Sequence, residues 1–225
     1  MPKLLVTDDL WALVEPLLPK HEPSPKGGHP RVPDRVCLTG ILFVLKTGLP
    51  WEDFPQEMGC CGMTLWNRLD EWRAAGVWDA LHRLLLGQLR GEEAIDFSRV
   101  VVDSSHVRAV HGGKKRGPAR WTGERRGRST TSWSTPTVMG DRGYDSGPHR
   151  QKLSGRGIGT AIARRGEPHG SGLGILRYVV EQTIALMHQF RRLRVRYDKR
   201  DDIHETFMTI AEAVICYRRL HKLTG

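Results

Sequence analysis

Three carboxylates stand where acids commonly do chemistry. Asp103 closes the run Arg99-Val100-Val101-Val102, whose consecutive valines predict a buried strand. Asp141 follows a second apolar stretch, Val138-Met139-Gly140, and opens Asp141-Arg142-Gly143-Tyr144-Asp145. Glu181 falls in a predicted helix from about Leu176 to Phe190, on one face with Arg177 and His188. Each acid alone reads as a solvated or capping carboxylate. As a set on an α/β background, with acids at strand ends where such sheets bind ligands, they match what a two-metal site needs. Two Mg²⁺ (or Mn²⁺) ions ~3.5–4 Å apart would activate a water and stabilise a leaving oxygen in phosphodiester chemistry.

Other local patterns carry less. Ser105-His106 has no G-x-S-x-G elbow, and Gly112-Gly113-Lys114-Lys115 is not a P-loop. Gly170-Ser171-Gly172-Leu173-Gly174 has the wrong spacing for a dinucleotide fingerprint. Cys37, Cys60, Cys61 and Cys216 have neither disulfide-framework density nor zinc spacing.

Charge points to the partner. The 225 residues carry 35 Lys+Arg against 25 Asp+Glu, but residues 1–100 are net −3 and residues 101–225 net +13. A basic half of that size is an electrostatic footprint for a polyanion, most commonly nucleic acid. Of the basic residues 26 are Arg, the better bidentate phosphate ligand. The apolar run Ile41 to Leu45 is far short of the ~20 residues of a spanning helix, and the N-terminus does not read as a signal peptide. A soluble, cytoplasmic protein is expected.

The elements that must position these residues fall into two predicted domains. Residues 1–95 read as helices: one capped by Thr7 and stopped near Pro19, Asp34 to Thr47 ending at Gly48, one capped by Thr64, and Val77 to Arg90. The helix after Thr64 suits a helix-turn-helix reader with Asn67, Arg68 and Arg73 facing bases, against the plainer alternative of a polar helix face in a bundle. Residues 96–225 read as an α/β domain that closes with an amphipathic helix, Ile203 to Leu223. Before that helix, Arg191, Arg192, Arg194 and Arg196 are expected to contact phosphates.

Residues 111–138 break the pattern. Only 4 of the 28 are apolar, 7 are Lys or Arg and 5 are Gly. Such a stretch cannot bury enough surface to offset its ordering entropy, so a disordered or aberrant segment is expected.

At these residues the sequence resembles bacterial insertion-sequence transposases of the DDE superfamily, in the branch with a helical domain before an RNase H-like core. Val100 to Ser105 resembles the first catalytic strand, Asp141 to Asp145 the second motif, and Arg177-Tyr178-Val179-Val180-Glu181 the R-x-x-x-E helix. The resemblance implies Asp103, Asp141 and Glu181 as metal ligands, with Arg177 positioning the glutamate or the DNA. It implies duplex DNA as partner, both terminal inverted repeats and target, a homo-oligomer when active, and Mg²⁺-dependent cleavage followed by strand transfer. Gly174 and His188 stand where the wider family often has tyrosine and lysine.

An RNase H-like core needs two more strands, and usually a helix, between the first two acids; only 37 residues lie there. The fold expected is therefore mixed α/β, an all-α helix-turn-helix-like domain followed by a truncated RNase H-like domain. The genetic code suggests why. Pairing each third base with the next two, Trp121–Thr122 must spell GAC, aspartate, and permitted third bases give Gly-Ser-Lys-His-His and then an apolar strand. The resembling transposases carry that turn and strand after the first aspartate. Residues 119–138 thus read as translated out of frame, with a deletion, and Asp103 and Asp141 are expected to lose the sheet that holds them together. The rival expectation is a non-catalytic DNA-binding or oligomerising remnant that interferes with an intact transposase.

Overall fold

Thr7 begins the first helix as its composition requires. Its hydroxyl accepts from the Leu10 amide at 3.3 Å, and Asp8 and Asp9 lie in the first turn of α1 (Asp8–Val14), where the helix dipole favours acids. A short 3₁₀ turn, Glu15–Leu17, ends it. α2 (Asp34–Thr47) stops at Gly48, whose φ of 74° is the left-handed conformation that glycine tolerates. α3 (Gly62–Ala74) starts two residues ahead of the predicted Thr64 cap, with Cys61 as N-cap, and α4 (Val77–Gly91) follows Gly76. Glycine is obligatory at position 62, because a Cβ would lie 1.8 Å from the Trp51 carbonyl oxygen. The computed structural model describes residues 5–21, 30–92, 99–102, 108–109, 137–140, 145–162, 164 and 182–224.

The chain divides into two compact units. The first joins Met1–Glu92 to Met187–Gly225, with Val107–Arg116. The linear division expected near residue 95 places 187–225 in the second domain; in the structure they pack into the helical unit. There the chain forms α7 (Arg191–Arg194), β5 (Val195–Arg196) and α8 (Asp201–Thr224). β5 pairs in parallel with β2 (Arg108–Ala109). α8 lies along α4, and Ile203, Phe207 and Ile210 enter the same core as Val14, Ile41, Leu65 and Trp72. The predicted Ile203–Leu223 helix is thereby found, with one more residue past Leu223 and Asp201 and Asp202 in its first turn.

The second unit contains a three-stranded parallel sheet of order β1-β3-β4: β1 (Arg99–Val102), β3 (Thr137–Gly140) and β4 (Gly159–Ile162). α5 (Gly147–Ser154) lies between β3 and β4, as a parallel connection requires. It was hidden in the sequence because GPHRQKLS has no apolar periodicity. Residues 182–188 are helical (α6), inside the helix predicted to Phe190.

Two expectations need correcting. β1 and β3 pair directly, so the strands that lead to Asp103 and Asp141 keep their sheet without the missing elements. Thr137 and Val138 belong to β3 and not to an aberrant segment; residues 111–136 lie outside the described residues. The architecture is mixed α/β, mostly helical with a small sheet. Among the described residues no helix is long and apolar enough to cross a membrane.

Candidate functional site

The sheet of the second unit sets the geometry at the predicted metal site. In register, Arg99 faces Thr137 and Val102 faces Gly140; Thr137 faces Gly159 and Gly140 faces Ile162. All three strands run the same way, so the chain leaves them at one edge. Asp103 and Asp141 are the next residues after Val102 and Gly140, and they lie outside the described residues, as do Arg177 and Glu181. Among the described residues no group of His, Cys, Asp and Glu could hold a metal ion.

Arg150 was not anticipated. From α5 its Nε and Nη2 both lie 2.9 Å from Asp145 Oδ1, and Nη2 donates to the Ile162 carbonyl at 2.8 Å. One guanidinium thus ties the end of the Asp141–Asp145 motif to the end of β4. The signal was present as an arginine five residues after Asp145, but nothing local marks such a bridge.

In the helical unit the predicted DNA-contacting residues separate by burial. Asn67 is exposed on α3. Arg68 is 5% exposed; it pairs with Asp34, lies 3.5 Å from Glu71, and its guanidinium sits 5.7 Å from the Trp72 ring. Burial pulls its pKa down, yet the paired carboxylates keep it a structural cation. Arg73 is half-buried and bonded to Asp70, with Asp202 at 3.4 Å. The expectation that Arg68 faces bases is corrected here: its charge is used inside the protein.

The arginine run splits the same way. Arg191 and Arg194, three apart on α7, are exposed. Arg192 is 2% exposed: it donates to the Leu49 carbonyl at 3.1 Å and to Asp198 at 2.9 Å, among the rings of Trp51, Tyr197 and Phe207. Arg196 is buried too and donates to the Asp198 and Lys199 carbonyls, each at 2.9 Å. Arg192 and Arg196 therefore cannot serve as the expected phosphate contacts. Arg191 sits against the end of α2, where a Cβ at Gly48 would lie 3.1 Å from Arg191 Cβ; Lys46, in the last turn of α2, is exposed.

Arg200 is neutralised within the helical unit. It forms a fork with Asp70 at 2.9 and 3.0 Å, bonds Asp202 at 2.6 Å, and lies over the Trp66 ring. Its hydrogen bonds hold both carboxyls below the ordinary range. A nearby cavity of about 260 Å³ is lined by Arg73, Asp79, Asp202 and Glu205 among others, more acid than base, which makes it a poor phosphate site. Burial pushes the Cys37 thiol up to about 12 and Cys216 up to about 11, so both stay protonated packing groups.

Residues 6–82 match the family described as "Putative transposase of IS4/5 family", and residues 124–216 match the "Transposase DDE domain". The chain is 54% identical over 141 residues to the "Insertion element IS402 uncharacterized 16.2 kDa protein" of Burkholderia cepacia, covering 61% of this chain and 96% of that protein. It is 51% identical over 85 residues to the "Putative transposase for insertion sequence element IS402" of the same organism, covering 38% of this chain and 40% of that one. A stretch of 61% of 225 residues crosses residues 90–136 wherever it begins, so the 16.2 kDa protein aligns through the glycine- and arginine-rich segment. No solved structure matches. The chain belongs to the DDE transposases of insertion elements.

Proposed function

We propose that this chain acts in DNA transposition, with Asp103, Asp141 and Glu181 as the acids of a divalent-metal site and Arg177, four residues before Glu181, positioning it or the DNA. An all-oxygen set of two aspartates and a glutamate suits Mg²⁺ or Mn²⁺ rather than a soft metal. Such ions, when bound, supply water activation and charge stabilisation at the leaving 3′ oxygen. The observation that carries the reading is the in-register pairing of Val102 with Gly140, each one residue before an aspartate.

On this reading the unit of residues 1–92 and 187–225 carries a helix-turn-helix-like module and the second unit is a truncated RNase H-like module, and the parallel β1-β3-β4 order is what remains without the two intervening strands. The partners are the terminal repeats and target DNA in the nucleoid, engaged by a homo-oligomer. Exposed Arg191 and Arg194, with exposed Lys46 in the last turn of α2, make the phosphate contacts, and Asn67 is the base-facing candidate left on α3.

On the same reading residues 119–136, which stop short of β3, are out of frame in this product, which by itself transfers strands negligibly. A relative that aligns through this stretch supports an arrangement shared between elements over damage confined to one copy. The same stretch favours the second reading, a non-catalytic DNA-binding or oligomerising partner of an intact transposase.

Mg²⁺-dependent nicking of a cognate end, by wild type, Asp103→Ala and Glu181→Ala, tests the assignment. Nicking by wild type alone supports it, and equal nicking by all three removes it. Bound but uncut DNA in every case selects the second reading. The encoding DNA, read in all frames, decides whether Ser-Lys-His-His-Leu is present.

A further inference from the structure

Residues 1–92 and 187–225 are separated in the chain by the whole second unit, yet they make one core. The contacts between them are specific as well as apolar. Phe207 of α8 stacks on Trp51 with ring centroids 5.9 Å apart. The Tyr217 and Thr7 hydroxyls are hydrogen-bonded at 2.6 Å, tying the far end of α8 to the cap of α1. Arg192 reaches the Leu49 carbonyl, and Arg200 forks onto Asp70 of α3. At Gly48 α7 approaches closely: a Cβ there would lie 3.1 Å from Arg191 Cβ, and the glycine's φ of 74° disfavours other residues.

Removing 187–225 would uncover the apolar faces of the helices beneath α8, and the freed segment would carry Ile203, Phe207 and Ile210 into water. Both halves recur in every copy of the chain, so an identical segment from another molecule meets the same groove with the same contacts.

We propose that the helices of residues 1–92 form a receptor for the segment 187–225, and that a second copy of the chain can supply that segment. The proposal rests on the packing of the helical unit and not on the metal chemistry. If the transposase reading holds as well, a catalytically silent copy acquires a route into an active assembly, by lending its α7–α8 segment or accepting one.

The full chain, carrying a specific-protease site between Gly172 and Leu173, is cut after purification. Cut chains with and without ¹⁵N are then mixed. The fragments are expected to co-elute as one species, and native mass spectrometry is expected to find mixed pairs after incubation. In the cut chain Phe207→Ala should weaken pairing roughly 100-fold or more. Arg200→Gln, at a half-exposed site where folding is spared, should weaken it by a smaller factor. Fragments that separate without denaturant while 1–172 keeps its helicity would overturn the proposal. So would an absence of mixed pairs, or dissociation indifferent to both substitutions. DNA enters none of these readouts, so failure of the catalytic reading leaves the test intact.

Discussion

Val102 and Gly140 are partners on adjacent parallel strands, and the next residue on each is an aspartate. Neighbouring strands lie about 4.8 Å apart, and on the proposed reading the two carboxylates that follow these ends share ions. We therefore expect Asp103→Asn and Asp141→Asn each to abolish Mn²⁺ binding measured by titration calorimetry. The double variant should lose no more than either single one, because ligands that act as a unit are not additive. Independent partial losses would place the two acids in separate sites.

Arg192 is expected to be a stability residue. Removing one partner of a buried ion pair leaves the other charge uncompensated, which costs about 3–5 kcal/mol. Arg192→Met should therefore destabilise urea unfolding by roughly that amount, since Asp198 would lose its guanidinium partner. Adding Asp198→Leu should recover part of the loss. A neutral single substitution would mean that Asp198 finds another partner at no expense.

Much of the fold was legible because it depends on local signals. Thr7, Gly48 and Gly76 punctuate helices where cap and turn chemistry place them, and the valine run Val100–Val102 became a strand. Partnership over long sequence distances was not legible. Arg68, Arg192 and Arg196 look like DNA contacts in a basic sequence, but Asp34, Asp198 and backbone carbonyls take them inside. Asp70 and Arg200 are 130 positions apart and carry no shared motif. The acids proposed for the metal site rest on strand-end context and resemblance; the structure adds the register of the strands that lead to two of them.

Acid should weaken the helical unit in two stages. Burial, reinforced by Arg196 and Arg192, lowers the His204 pKa against the opposing pull of Asp198 and Glu205. The unfolded chain then takes up the proton first, so stability falls as pH drops below about 6.5. His204→Gln should flatten that limb. Asp70 and Asp202, held low by Arg200, contribute stability that is present above about pH 4 and lost as pH falls through their folded values. Thermal melts should show wild type and Arg200→Gln differing by a constant amount near neutrality and converging in acid. Parallel curves throughout would mean that the fork is electrostatically silent.

The last expectation separates outward arginines from inward ones. Each phosphate contact on duplex DNA contributes roughly 0.9 to the slope of log K against log salt. Four contacting arginines would give a change of about 3.6 on replacement, whereas Arg191 and Arg194 alone give about 1.8. The structure exposes only those two, so Arg191→Gln/Arg194→Gln should flatten the slope by about 1.8 with an unchanged melting temperature. Lys46→Gln, in the last turn of α2, should remove about one contact more. Arg192→Gln should instead lower the melting temperature and leave the slope of the remaining folded protein as it was, because its guanidinium is bonded to Leu49 and Asp198. A slope that responds to Arg192 while ignoring Arg191 and Arg194 would show that DNA binding rearranges α7, turning the buried arginine outward at the expense of the helical unit.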